Sequence, residues 1–188
     1  MSSAATVQAK NKVSTGRIAL FITLGAESIF FITLLVAYAA LRDEVTWNVS
    51  HTLTRLAIPL INTAILLVSV ITAWSSTRAI RRNEQASLRS RLLTTLLLGL
   101  IFVIGQIYDF SNAGLQINDP SFGGVFFTLM GFHAVHVLAG VVFLALNYIR
   151  ANWGDFSSTR YEAVELGNWF WYYVAGVWLV LFVVLYLI

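Results

Sequence analysis

Three side chains stand where hydrocarbon would be expected: Glu27, in "LGAESIFF", and the pair His133 and His136, in "GFHAVHVLAG". A carboxyl and two imidazoles can exchange protons, hydrogen-bond one another, or ligate a metal. Two histidines three apart on one helix point the same way, so they cannot hold both axial faces of one haem, which needs imidazoles on opposing helices. The remaining histidine, His51, lies in a polar connection. A zinc or copper site would have to use both histidines and Glu27 with little else in reach. The economical expectation is a hydrogen-bonded cluster of Glu27, His133 and His136 inside a helical bundle, with no metal.

Such groups must be positioned by membrane-crossing elements. Five apolar runs lie near 18–41, 56–77, 91–110, 122–149 and 166–188, each long enough to cross a core of about 30 Å. Only helices or closed barrels satisfy their backbone in lipid, and these runs are too long and too continuously apolar for barrel strands. The expected fold is an all-α integral membrane protein with five transmembrane helices, in which a polar tail (1–17) precedes the membrane domain (18–188). At about 1.5 Å per residue, Glu27 falls roughly 15 Å beyond Arg17, a depth His133 reaches from the opposite side. An ionisable group at that depth suggests a functional site.

Each helix has an inward polar face. Thr23, Glu27 and Tyr38 fall within about 60° on the first helix at about 100° per residue. Asn62, Ser69 and Ser76 share a face of the second helix, Thr95, Gly99, Gln106 and Asp109 one of the third, and His133, His136 and Gly140 one of the fourth. Small and polar residues in such stripes also serve as plain interhelical glue. Pro59 is expected in the first turn of the second span, where a missing N–H costs little.

Composition restricts the chemistry further. The 188 residues are 58% hydrophobic and 11% charged, and contain no cysteine. That excludes thiolate-ligated copper, iron–sulfur clusters and covalently attached c-type haem in this chain. Lys10, Lys12, Arg17, Arg78, Arg81, Arg82, Arg89, Arg91, Arg150 and Arg160 fall on one side, and only Arg42 and Arg55 on the other. The amino terminus is therefore expected inside and the carboxyl terminus outside. The basic loop is read as a solvated segment beside anionic headgroups, with no nucleic-acid partner. The first seventeen residues lack a signal-peptide cleavage pattern and read as a cytoplasmic tail.

"GFHAVHVLAG" resembles the signature of subunit III of the haem–copper oxidases. "AESIFFITLLVAYAALR" (26–42), "IPLINTAILLVSVITAW" (58–74), "LLLGLIFVIGQIYDF" (96–110) and "VELGNWFWYYVAGVWLVLFVVLYLI" (164–188) are similar to its other core helices, in the same order. The resemblance places Glu27 at the family's buried carboxylate. It also matches Asn62 and Gln106, and sets Asp109 where Glu is frequent. A five-helix chain corresponds to the short form without the two amino-terminal helices. Ala134 stands where Gly is usual, and Tyr172 and Ala175 replace the His and Asp common in the last helix.

The resemblance implies an accessory, non-catalytic subunit of a terminal respiratory oxidase in the bacterial plasma membrane. Haem and copper would reside in partner subunits, with the catalytic subunit I as chief partner. The chain would stabilise that subunit, support proton uptake and hold phospholipid. A subunit III-like component of a nitric oxide reductase or quinol oxidase is the nearest alternative. A small proton-coupled transporter built on Glu27 ranks lower, because no paired helix interruption is visible.

Overall fold

The computed structural model describes residues 14–41, 53–111 and 123–187. They form five long helices: α1 (Thr15–Leu41), α2 (Leu53–Arg81), α3 (Gln85–Ser111), α4 (Gly123–Asn152) and α5 (Glu162–Phe182). A π-helical turn, Val183–Leu187, extends α5. Each of the five is long and apolar enough to cross a membrane. The helices outrun the apolar stretches that announce them: α3 starts at Gln85 and α5 at Glu162. Hydropathy marks only the hydrocarbon-embedded part, while hydrogen bonding carries the helix on into the headgroup region. For the same reason Thr15, Gly16 and Arg17 belong to α1 rather than to a tail. Pro59 stands in the second turn of α2, not the first, because the helix starts at Leu53.

Two of the connections are short, and their caps explain why. After α2, Asn83 takes the left-handed conformation, with φ 59°. Its N–H donates to the Ile80 carbonyl at 2.8 Å, and the Glu84 N–H to the Ala79 carbonyl at 3.0 Å. After α4, Gly154 plays the same part with φ 78°, and the Asp155 N–H donates to the Arg150 carbonyl at 3.1 Å. Both are Schellman closures, which satisfy the last carbonyls and reverse the chain at once.

Helices α2, α3, α4 and α5 pack in a ring, each against the next and α5 back onto α2, while α1 lies outside against α4 and α5. Trp171 of α5 fills the centre of the ring. A Cβ on Gly99 of α3 would come within 2.9 Å of its indole, and one on Gly140 of α4 within 2.7 Å. The indole N–H donates to Ser69 Oγ of α2 at 3.0 Å. Small residues thus let the backbones approach, and one aromatic ring with a satisfied N–H joins all four helices. Trp178, two turns on, repeats the device by donating to Thr63 Oγ1 at 2.9 Å and meeting Phe102 edge-on.

Candidate functional site

Glu27 of α1 and His136 of α4 face each other across the outer seam of the bundle, with Oε2 to Nε2 at 3.1 Å. The other ring nitrogen, Nδ1, lies 2.7 Å from the Phe132 carbonyl oxygen. A carbonyl can only accept, so Nδ1 carries a proton. The Nε2–Oε2 bond then holds a second proton, shared between imidazole and carboxyl. Whichever atom owns it, the pair is neutral as a unit, which limits the cost of placing it in the membrane. Phe170 of α5 stacks on the imidazole with centroids 6.5 Å apart.

His133 does not join this pair. It turns into the four-helix core, 1% exposed, and stacks on Trp178 at 5.5 Å. Among the described residues, neither of its ring nitrogens has a hydrogen-bond partner. Three residues on a helix span about 300°, so the two rings diverge by about 60°. That is enough to send one to α1 and the other to α5. The expected three-residue cluster is therefore a two-residue pair with a separate buried imidazole.

The other polar residues occupy three levels. Thr23 lines a cleft between α1, α4 and α5. Asn62 is buried against Gly105, where a Cβ would come within 2.1 Å of its Oδ1. Gln106 is buried beside it on α3, and its amide finds no partner among the described residues. Asp109 accepts a hydrogen bond from the Tyr186 hydroxyl at 2.5 Å, tying α3 to the π turn. Tyr38 is buried near the end of α1. His51 lies outside the described residues. No group of three or more His, Cys, Asp or Glu that could hold a metal ion occurs among the described residues.

Sequence reasoning missed a second cluster. Glu165 of α5, its side chain 2% exposed, accepts from Arg17 of α1 at 2.8 Å and from Arg81 of α2 at 2.5 Å. Glu162 adds a bond from the Ser14 hydroxyl and lies 3.7 Å from Arg17. Asn168, one turn on, donates to the Ala73 carbonyl at 2.9 Å, Ser76 Oγ at 3.0 Å and Thr77 Oγ1 at 2.8 Å. A signal was available: Arg17, Arg81 and Glu165 all lie at helix ends on the side that the basic-residue count calls inner. Which of those charges meet depends on packing that a linear sequence does not display.

These features define a polytopic helical membrane protein whose polar groups mostly join its own helices. The chain matches the family described as cytochrome c oxidase subunit III over residues 2–188, and it belongs to that family. A cytochrome c oxidase subunit 3 from Rhipicephalus sanguineus is 40% identical over 129 residues, 69% of this chain and 50% of that protein. The Drosophila melanogaster protein of the same name is 37% identical over 129 residues, 69% and 49% of the two chains. That of Paracentrotus lividus is 35% identical over 176 residues, 89% of this chain and 66% of its own. This chain thus spans about half the length of the first two relatives. The family read from the residues is borne out, as is the all-helical, five-span membrane fold.

Proposed function

We propose that this chain is the accessory subunit III of a terminal respiratory haem–copper oxidase, which reduces O₂ to water with haem and copper held by partner subunits. The observation that carries the reading is the family match over residues 2–188. Its work is mechanical and lipid-related. The bundle braces subunit I, sustains proton uptake from the inner side, and holds a phospholipid. The sided distribution of basic residues supports an inner amino terminus and an outer carboxyl terminus. Tyr172 and Ala175, which depart from the family's usual last helix, favour an outlying lineage of oxidase or an oxidase-related reductase.

Support for the lipid comes from a 460 Å³ cleft between α1, α4 and α5. Leu20, Phe143 and Phe170 form its apolar walls, and Asn147 and Arg150 stand at the end nearest the inner loops. That pattern suits an acyl chain beneath a phosphate held by Arg150.

The test is purification from the native membrane in mild detergent. Haem absorbance, copper, a large helical partner and retained phospholipid are expected to accompany the chain. A chain that purifies alone and colourless overturns the reading. The haem type and electron donor of the complex separate an oxidase from a nitric oxide reductase.

A further inference from the structure

Trp171 and Trp178 mark two levels of the four-helix ring. At the first level, Ser69, Gly99 and Gly140 surround the Trp171 indole. Seven residues along each helix, about two turns, stand Asn62 on α2, Gln106 on α3, His133 on α4 and Trp178 on α5. Successive helices reverse direction, and the end of α3 meets the start of α4 through Phe110 and Phe126, so all four steps lead to one depth. The contacts agree. His133 stacks on Trp178 at 5.5 Å, Trp178 donates to Thr63, the neighbour of Asn62, and Asn62 lies against Gly105, the neighbour of Gln106.

The first level is satisfied and the second is not. The Trp171 indole and the Ser69 hydroxyl are both paired. Asn62, Gln106 and His133 are 4%, 7% and 1% exposed. Yet Asn62 Nδ2, both amide atoms of Gln106 and both ring nitrogens of His133 have no hydrogen-bond partner among the described residues. So many unpaired groups at one buried level call for a partner. Amides and an imidazole present donors and acceptors together, so that partner must both donate and accept. It must also be uncharged, because Glu165 is the one buried acidic or basic side chain among the described residues, and it lies at the other end of α5. Water meets both conditions, and a buried water makes about three such bonds. There is room beside the level. A 90 Å³ cavity between α3 and α4 is lined by Phe102, Ala134 and Val137, with Gln106 as its one polar lining residue. A water in the liquid takes roughly 30 Å³, and the terminal torsion of Gln106 is a broad rotor that can aim the amide into that space.

We infer that Asn62, Gln106 and His133 form a buried hydration site, in which ordered water at the Trp178 level accepts from Asn62 Nδ2 and donates to Gln106 Oε1. The two amides hold the water and the imidazole is its third partner. His133 also packs on Trp178 and edge-on to Phe31, and a buried water is held by as few as two polar groups, so the amides suffice without it. The water ties α2, α3 and α4 at the depth where Trp178 and Thr63 tie α5 to α2. The site lies inside the ring, apart from the cleft beneath α1, and holds whatever partner the chain binds.

The test is a cryo-electron-microscopy map of the chain purified from its native membrane, with any partners it brings, at a resolution that shows ordered water. A peak is expected within about 2.7–3.2 Å of the Gln106 amide and of Asn62. Gln106→Leu should abolish that peak, and His133→Phe should keep it. The native map decides the matter even if Gln106→Leu fails to assemble. Amides bonded to each other or to backbone carbonyls, with no peak between them, would overturn the site. An acyl chain or an ion in that density would overturn water as its occupant. A peak kept in Gln106→Leu, or lost in His133→Phe, would overturn the amide pair as its holder.

Discussion

At the residue scale, the structure separates two histidines that the sequence presents as a pair. His136 has a partner at each nitrogen, whereas His133 has none among the described residues. Replacing an unpartnered buried polar group by an apolar one of similar shape is nearly neutral, while orphaning a partner costs about 1–3 kcal/mol. His133→Phe should therefore keep its stacking on Trp178 and shift stability by less than about 1 kcal/mol. His136→Phe leaves the Glu27 carboxyl unsatisfied and should cost about 1–3 kcal/mol. Thermal melting of the purified complex measures both, and a larger loss at His133 would contradict the assignment. The types of these residues, and the shared level of Glu27 with the histidine segment, were legible in the sequence. Rotation was not, because a wheel resolves a shared face only to about 60° and neighbouring helices divide that arc.

At the element scale, two devices set the helix positions. Trp171 fits against Gly99 and Gly140, so Gly140→Ala places a methyl 2.7 Å from the ring. The expected cost is about 1–3 kcal/mol of overpacking, and adding Trp171→Phe should recover part of it in the same melting assay. No recovery would mean that another contact limits the approach. Glu165 gathers α1, α2 and α5 at one end. In Glu165→Ala, hydrogen exchange should speed up in the first turns of α1, from Thr15 to Leu20, with α3 and α4 little changed. A uniform rise would show that Glu165 supports the whole bundle instead. Helix number and approximate extents could be read from hydropathy, because lipid leaves the backbone few options. The ring of α2 to α5 with α1 outside could not, since a stripe of polar and small residues marks an inward face without saying which neighbouring helix it meets.

At the scale of the whole molecule, ten of the twelve basic residues read as inner. The sidedness has a direct check. A cysteine placed at Ser158, exposed in the α4–α5 connection, should react with an impermeant maleimide in inverted vesicles and stay unlabelled in right-side-out ones. The reverse pattern would invert the proposed topology. The family itself was legible because its motifs recur in order along the chain. The Arg17–Glu165–Arg81 cluster escaped because it joins residues up to 148 positions apart.

The central claim is that this chain braces a redox partner and carries no redox centre of its own. The most direct measurement strips the chain from the purified complex with detergent, then records haem absorbance, copper and O₂ reduction in both fractions. The account predicts that all haem and copper remain with the partner, that the released 20.9 kDa chain is colourless, and that the depleted partner loses activity faster during turnover. Haem or copper leaving with this chain, or a partner equally durable without it, would contradict the account.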